Sequence, residues 1–257
     1  VGGMVSDAIP EFRLSDEVIQ LDIDVLKQLG VRFEFEKTVD SEFYQKLTDT
    51  HDEIFIGVGA QLALTLGIEG ENLEGVLNPL RFLSDVRSGA RPDLGQNIAI
   101  IGGGNTAMDA ARTALRLAGD QARVSIVYRR TISEMPADID EIEAALAEGI
   151  NFLELMAPII FKGNDHISHI HCQKMELGEP DASGRRRPIA IDGEFLDLPV
   201  DTVIPAIGQA LNVDFLKESE LKVNPKTCTT GIPHVYAGGD AVRGASSVIN
   251  AIGDGQL

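Results

Sequence analysis

The residues that decide the fold run from Asn97 to Ala118 and read NIAIIGGGNTAMDAARTALRLA. A short apolar strand comes first, three glycines follow, and small and apolar residues then recur at helical spacing. A second apolar run, Arg123–Tyr128, comes next, so that strand, turn, helix and strand fit within about thirty residues, the size of a βαβ unit. The pattern predicts an α/β protein built on a parallel sheet.

The glycine turn has the spacing of a dinucleotide-binding motif. Gly102, Gly104 and Ala107 match G-x-G-x-x-G/A after a strand and at the start of a helix, the context that the motif requires. The first glycine allows a tight turn, the second lets the backbone approach a pyrophosphate, and the small third residue lets helix and strand pack closely. The alternative is a glycine turn that binds nothing.

The end of the second strand indicates which dinucleotide binds. An NAD site usually places Asp or Glu there to hold the ribose 2′-hydroxyl, whereas this chain has Tyr128-Arg129-Arg130. Guanidinium groups favour a 2′-phosphate, so NADP is predicted over NAD. The alternative is that one or both arginines form surface ion pairs with the acidic helix at 138–148.

Other elements follow from periodicity and turn residues. Helices are expected at 15–29, from near Pro136 to Gly149, and after Asp240, where small residues dominate. The remaining expectations are strands at 31–36, 53–58, 200–207 and 235–237, a loop at 84–96, and turns at 178–181 and 183–184.

Composition excludes several classes of function. The chain has 257 residues and a formal charge of −18, which disfavours nucleic acid and anionic membranes as partners. No apolar run reaches the roughly 18 to 20 residues of a membrane span. Two cysteines fit a reducing compartment, hence the cytoplasm, and cannot supply the four thiolates of an iron–sulfur cluster.

Two clusters of residues could form a binding site, but their sequence patterns favour a purely structural role. His166, His169, His171 and Cys172 interleave with isoleucines as in a strand, and no partner ligand lies nearby in sequence, so no metal is predicted. Arg185-Arg186-Arg187 favours a solvated turn over an anion site.

The motifs taken together resemble the small-subunit family of glutamate synthase, with its relatives in dihydropyrimidine dehydrogenase and the selenate-reductase-like flavoproteins. The last branch looks closest, through the opening Val1-Gly2-Gly3-Met4-Val5 and Ser246-Ser247-Val248. The shared motifs follow one another along nearly the whole chain: Ile9–Phe12, Gly102–Asp109, Tyr128–Arg130, Glu134–Pro136, Leu177–Asp181, Gly184–Pro188, and Ala237–Asp240 with Arg243-Gly244.

The resemblance implies a two-dinucleotide flavoprotein, with a Rossmann-like NADPH-binding domain inserted into a partial FAD-binding domain. Residues 80–208 would form the NADPH domain, and 1–79 and 209–257 would be parts of the FAD domain. The family's FAD domain begins ahead of the segment matching Val1 and this chain stops inside a helix, so we expect a fragment of a longer protein. Asp240 would bind the ribityl chain, and the helix after Gly244 would point its N-terminus at the flavin.

The expected activity is transfer of hydride from NADPH to FAD and of electrons to iron–sulfur clusters on another module. Such chemistry needs no catalytic acid, base or nucleophile from the protein. The alternative is a non-redox dinucleotide-binding module. A short-chain dehydrogenase is disfavoured because no tyrosine is followed by lysine four positions later, and a thioredoxin-reductase-like enzyme because Cys-x-x-Cys is absent. The candidate cofactor-binding residues are Gly102, Gly103, Gly104, Asn105, Thr106, Ala107, Arg129, Arg130, Gly59, Gly208, Gly239, Asp240, Ser247 and Val248.

Overall fold

The computed structural model of the chain describes residues 2–119, 121–216 and 221–257. Val1, with which the resemblance to the selenate-reductase-like branch opens, lies outside the described residues. The chain divides into two compact units: the first comprises Val1–Ser6, Phe12–Leu62 and Gln209–Leu257, and the second comprises Asp7–Glu11 and Ala63–Gly208. The cofactor domains assigned to 1–79, 80–208 and 209–257 stay a prediction.

The elements are numbered in chain order. The helices are α1 (Met4–Asp7), α2 (Asp16–Gln28), α3 (Ser41–Thr50), α4 (Pro79–Arg87), α5 (Asn105–Ala118), α6 (Ile139–Ala147), α7 (Asp240–Arg243) and α8 (Val248–Gly255), with a 3-10 turn at Ile132–Glu134. The strands are β1 (Ile54–Ile56), β2 (Leu62–Ala63), β3 (Asn97–Ile101), β4 (Arg123–Tyr128), β5 (Asn151–Glu154), β6 (Met156–Gly163), β7 (Ile167–Pro180), β8 (Arg186–Pro199), β9 (Thr202–Pro205), β10 (Gln209–Ala210) and β11 (Val235–Ala237).

A four-stranded parallel sheet is the centre of the second unit, in the order β5-β4-β3-β9. The chain moves from β3 outward to β4 and β5, then returns to the other side of β3 with β9. Asn97 pairs with Arg123 on one side of β3, and Ile98 pairs with Thr202 on the other. The strand order therefore reverses at β3, which creates the crevice where ligands bind in open α/β sheets.

Helix α5 packs on this sheet through small side chains. Ala107, Ala110, Ala111 and Ala114 are each 0 % exposed, so that the helix lies close to β3 and β4. The helix ends at Gly119, whose φ of +77° is a conformation that glycine adopts without strain. This close packing brings the first turn of α5 to the carboxyl end of β3.

An antiparallel sheet of β6, β7 and β8 contributes to the same core. Its buried Phe161, Ile170 and Cys172 cluster with Ala99 and Ile101 of β3 and with Val203 of β9. Side chains alternate along a strand, so Ile98 and Ile100 face the opposite side of β3 and are also buried.

The first unit contains a smaller sheet, in which β1 and β11 run parallel. Ile56, Val235 and Ala237 form its core together with Leu221. The helix predicted at 15–29 is confirmed as α2, but none of its residues is buried. Leu21 and Val25 on this helix are 69 % and 54 % exposed.

The strand predicted at 31–36 is wrong. Residues 31–36 pair with no strand in the described part of the chain, and Glu36 has a φ of +56°. Phe33 and Phe35 instead stack their rings, with centroids 6.2 Å apart. Alternation alone does not make a strand when no neighbouring strand supplies hydrogen bonds.

The loop predicted at 84–96 begins later than expected. Helix α4 extends through Arg87, because Asn78 caps it by accepting hydrogen bonds from Leu80 N–H and Arg81 N–H, and Pro79 fits its first turn. The turn predicted at 178–181 is also wrong, since β7 continues through Pro180 and the chain reverses between Asp181 and Arg185.

Among the helices of the described residues, none combines the length and the apolar character needed to cross a membrane.

Candidate functional site

The three glycines of the turn after β3 have different surroundings. A methyl group on Gly102, which has a φ of +140°, would overlap the Ala206 carbonyl oxygen, and one on Gly103 would lie 2.8 Å from the Tyr128 ring. A methyl group on Gly104 would meet no atom within 4 Å. The fold itself therefore requires glycine at 102 and 103, whereas Gly104 borders open space.

The N-terminus of α5 opens onto that space. Gly104 is the N-cap residue, and its carbonyl accepts hydrogen bonds from Ala107 N–H at 2.9 Å and Met108 N–H at 3.2 Å. The N–H groups ahead of Ala107 therefore lie before the first intrahelical bond, at the positive end of the helix dipole. Such an end binds phosphate groups.

A loop passes over the glycine turn; we call residues 131–138 the crossing loop. Ala137 N–H donates to Gly103 O at 3.1 Å. Asn105 forms two bonds with Asp138: its Nδ2 donates to Asp138 Oδ2 at 2.9 Å, and its Oδ1 accepts from Asp138 N–H at 2.8 Å. The loop and the turn are thus joined at three hydrogen bonds.

Arg129 and Arg130 have opposite environments. The Arg129 side chain is exposed, and no partner for its guanidinium is recorded within the part of the chain that the structure describes. Arg130 is 4 % exposed and forms an ion pair with Asp181 at 2.7 Å. Its Nε also donates to Arg186 O at 2.6 Å. Of these two arginines, Arg129 is therefore the one whose guanidinium is exposed at the carboxyl end of β4.

Arg130 holds the tip of the β7–β8 hairpin, which we define as residues 181–186. Hydrogen bonds from Ser183, together with Arg130, keep the pKa of Asp181 below its usual value. Glu134 of the crossing loop accepts Arg186 N–H at 2.8 Å. Arg186 Nη2 donates to the carbonyl oxygen of Leu177, and its Nε donates to that of Gly178. The hairpin tip is thus attached to the end of β4 and to the crossing loop.

Acidic residues at α6 form ion pairs with arginines of α5. Arg112 lies 2.6 Å from Glu141 and 2.8 Å from Glu148, and Arg116 lies 2.7 Å from Glu148. Hydrogen bonds from Arg116 and Arg112 lower the pKa of Glu148 to about 2. Within the described residues, the ion-pair partners of this helix are therefore Arg112 and Arg116 of α5. No ion pair joins Arg129 or Arg130 to α6 there.

A second cluster of candidate residues lies in the first unit, where the parallel strands β1 and β11 end at one edge. Gly59 follows β1 with a φ of +72°, and Gly239 follows β11 with a φ of +64°. Burial raises the pKa of the Asp240 carboxyl, which accepts a hydrogen bond from Ser246 N–H at 3.1 Å. The edge thus presents one partly desolvated carboxylate beside two turns of glycine conformation.

Asp254 fixes the turn that carries Asp240. It is 4 % exposed, accepts Gly239 N–H and Arg243 Nε at 2.8 Å each, and also pairs with Arg243 Nη2. These bonds from Arg243 and Gly239 lower its pKa to about 2. The sequence argument did not identify Asp254, since it lies 15 residues from the motif that it supports.

The other candidates have simple positions. Ser247 is the N-cap of α8 and accepts Asn250 N–H at 3.3 Å, and Val248 is the first residue of that helix. Gly208 lies in the second unit beyond β9 and has a φ of +133°. Because Ala206 N–H donates to Ile101 O, Gly208 follows the same edge of the sheet as Gly102.

The family model for pyridine nucleotide-disulphide oxidoreductases matches residues 7–255. The chain belongs to the pyridine nucleotide-disulphide oxidoreductase family. This membership confirms the predicted enzyme class, an NAD(P)H-dependent flavin oxidoreductase, and agrees with the predicted cofactor pair NADPH and FAD.

Curated relatives in this family include subunits of larger enzymes. The chain is 38 % identical to the NADP(+)-dependent formate dehydrogenase subunit beta of Moorella thermoacetica, over 99 % of this chain and 37 % of that protein. It is 32 % identical to the NADPH-Fe(3+) oxidoreductase subunit beta of Geobacter sulfurreducens, over 98 % and 43 %. The glutamate synthase [NADPH] small chain of Halomonas elongata is 30 % identical, over 100 % and 59 %, which confirms the resemblance to that family.

Solved structures confirm the two-dinucleotide fold of the pyridine nucleotide-disulphide oxidoreductases. Mycobacterium tuberculosis FprA in complex with NADPH superposes with a TM-score of 0.79 at 22 % identity, covering 99 % of this chain and 73 % of that chain. Thioredoxin reductase of T. acidophilum gives a TM-score of 0.67 at 18 % identity, covering 99 % and 84 %. The chain spans about two fifths of the length of the first two curated relatives.

The family name includes disulphide chemistry, but the two cysteines of this chain do not form a reactive pair. Cys172 and Cys228 are both free and buried, and they belong to different units. Burial raises the pKa of the Cys172 thiol to about 12, so the nucleophilic thiolate is suppressed. Among the described residues no group of three His, Cys, Asp or Glu could hold a metal ion.

The histidines near Cys172 have local partners. His171 Nδ1 lies 2.6 Å from Asp197 Oδ1, and His169 Nδ1 lies 2.9 Å from Ser168 Oγ. His166 Nδ1 lies 2.8 Å from the Ile167 carbonyl oxygen. In each of the three imidazole rings, Nδ1 therefore has a hydrogen-bonding partner in the antiparallel sheet or next to it.

Proposed function

We propose that this chain is the NADPH-binding part of a flavin oxidoreductase that passes hydride from NADPH to FAD and electrons on to iron–sulfur clusters elsewhere. The observation that carries the proposal is the Gly102–Gly104 turn, which lies where the strand order of the sheet reverses. Gly104 borders open space at the N-terminus of α5, so backbone N–H groups and the helix dipole meet a pyrophosphate there.

The choice of NADPH rests on Arg129. In the proposed complex its guanidinium binds the 2′-phosphate, and the neighbouring positions offer no carboxylate for a ribose 2′-hydroxyl. Arg130 has a supporting role in this proposal, because Asp181 and the Arg186 carbonyl oxygen already occupy its guanidinium. The two neighbouring arginines thus divide phosphate binding and the positioning of the hairpin tip between them.

The flavin part of the proposal rests on the turn at Gly239-Asp240. Asp240 supplies an acceptor for hydroxyl groups of a ribityl chain, and Asp254 holds the backbone of that turn. Gly59, Ser247 and Val248 complete the proposed flavin side. A bound flavin supplies the acceptor for hydride, and the protein contributes the placement of the two ring systems.

The partner of this activity is proposed from chemistry and from the relatives. Two of the relatives are named as beta subunits of NADP- or NADPH-linked oxidoreductases, which implies that they act together with other subunits. The two buried cysteines of this chain leave cluster ligation to another module. We therefore propose an iron–sulfur module or subunit as the electron acceptor.

An absorbance experiment tests the proposal. The full-length protein is loaded with FAD under anaerobic conditions, and its absorbance spectrum is recorded before and after addition of NADPH or NADH. We expect NADPH to bleach the oxidised flavin band faster than NADH does at equal concentration. Binding of NADPH without bleaching would support the non-redox module instead, and absence of binding would contradict both.

A further inference from the structure

Asp138 has an unusual position at the start of α6. It is the N-cap residue of this helix, and its carbonyl accepts the backbone N–H groups of Glu141 and Ile142. An N-cap carboxylate usually accepts an N–H of its own helix, but the Asp138 side chain makes no such bond. Its carboxylate bonds instead to Asn105, 33 residues earlier in the chain.

Asn105 is the residue directly after Gly104, at the first position of α5. Both polar ends of its amide bond to Asp138, which fixes the orientation of the side chain at the edge of the open space beside Gly104. The same pair, with the bond from Ala137 N–H to Gly103 O, holds the crossing loop against the turn.

We propose that Asp138 is a positioning residue for the dinucleotide, acting through Asn105 and the crossing loop. The inference rests on the proposed function, since it takes Gly104 and the N-terminus of α5 as the pyrophosphate site. A turn held in one conformation before binding loses less conformational entropy when the ligand arrives, which raises affinity. The pyrophosphate is common to NADPH and NADH, so the pair acts on both dinucleotides equally.

The carboxylate charge and the hydrogen bond act in opposite directions. A negative charge beside an anionic ligand opposes binding, whereas the acceptor atom organises the site. Asp138→Asn removes the charge and keeps an oxygen that accepts from Asn105. Asp138→Ala removes both, so the two variants separate the two effects.

The experiment measures NADPH and NADH affinity by titration calorimetry on the 257-residue chain. Asp140→Ala and Asp140→Asn are the matched controls, because Asp140 is an exposed carboxylate in the first turn of the same helix. We expect Asp138→Ala to bind both dinucleotides roughly three- to tenfold more weakly than Asp140→Ala, the size of one lost hydrogen bond. Asp138→Asn should bind at least as tightly as Asp140→Asn.

A double-mutant cycle adds a second measurement. Asn105→Ala should lose at least as much affinity as Asp138→Ala, because it removes both the bond to the Asp138 carboxylate and the bond from Asp138 N–H. The double variant should bind no more weakly than Asn105→Ala, because the carboxylate bond is already lost in that single variant. Thermal unfolding should be nearly unchanged in Asp138→Ala, since Arg112 and Arg116 hold α5 and α6 together independently.

The outcomes distinguish this inference from the proposed function. Wild-type chain that binds neither dinucleotide would overturn both. Wild-type chain that binds, with Asp138→Ala equal to Asp140→Ala, would overturn the positioning role alone. Equal losses in Asp138→Asn and Asp138→Ala would also overturn it, since the retained oxygen would then have no effect.

Discussion

Gly104 differs from its two neighbours because its missing side chain leaves room for something outside the protein. We expect Gly104→Val to fold but to lose dinucleotide binding, since the branched side chain would fill the open space at the start of α5. Titration calorimetry with NADPH measures the loss, and circular dichroism checks the fold. Gly231→Val is the control, because a side chain there also meets no atom within 4 Å. Unchanged NADPH affinity in folded Gly104→Val would refute the site.

Arg129 and Arg130 allow a test with two adjacent residues of the same type. Arg129→Ala should weaken NADPH binding about tenfold or more, because a charge-assisted hydrogen bond contributes roughly 1.5 to 3 kcal/mol. NADH binding should change little, because NADH lacks the 2′-phosphate. The difference should shrink as salt rises, since the contact is exposed. Parallel titrations with both dinucleotides measure it.

Arg130→Ala should act mainly on stability. It leaves Asp181 without its buried cation, so we expect the free energy of unfolding to fall, by less than for a fully buried pair because Asp181 is 23 % exposed. Urea titration measures the fall. A loss of NADPH affinity as selective as that of Arg129→Ala would show that both arginines bind the phosphate.

At the scale of elements, Glu148 joins α6 to α5. Its pKa is lowered to about 2 by Arg116 and Arg112, so the ionised form is favoured in the folded state. The stabilisation is therefore present at pH values above the ordinary pKa of about 4.3 and is lost as pH falls toward 2. Glu148→Gln should lower the free energy of unfolding at pH 7 by roughly 1 to 2 kcal/mol.

Urea titrations at pH 7 and pH 3 test this. The difference between wild type and Glu148→Gln should narrow at pH 3, and Glu143→Gln, an exposed residue of the same helix, should match wild type at both pH values. A difference that stays constant with pH would contradict the role of ionised Glu148.

The sequence predicted the elements whose signals are local. Strand β3, the glycine turn and α5 lie in one short stretch of sequence, and the pattern of each element supports the assignment of the other two. The prediction of a strand at 31–36 was wrong because its apolar and polar residues do alternate but no described strand pairs with it, and a pairing partner cannot be read from one segment. The helix through Arg87 could have been found, because Asn78 and Pro79 form an N-cap and first-turn signal.

At the scale of the whole molecule, the formal charge of −18 acts on an anionic ligand. The overall field repels NADPH, and added salt screens that repulsion. We expect the association rate constant of NADPH to rise roughly twofold or more between low salt and physiological ionic strength. Stopped-flow fluorescence measures this rate constant. Dilution of uncharged riboflavin, followed by its absorbance, is the control for mixing at each salt concentration. A rate that falls with salt would show that Arg129 and its surroundings dominate the field.

Long-range contacts set the limit of what the sequence could predict about the site. The motif located Gly102 to Ala107, and the strand end located Arg129. The partners of Arg130 and Asn105 could not be predicted, because Asp181 and Asp138 lie 51 and 33 residues further along. Those pairings depend on how the hairpin tip and the crossing loop return to the sheet, which periodicity does not encode.

The position of β3 also has a consequence for the order in which the chain folds during synthesis. Asn97 at the start of β3 bonds to Asp201, 104 residues later, just before the strand that completes the sheet on that side. A ribosome adding about 5 to 20 residues per second needs several seconds to pass from β4 to β9. Through that interval the apolar edge of β3 has no partner, and unpaired edges promote aggregation. Chaperone demand during translation should therefore peak before β9 emerges, and ribosome-stalled chains ending before residue 200 should be more protease-sensitive than chains in which β9 has fully emerged.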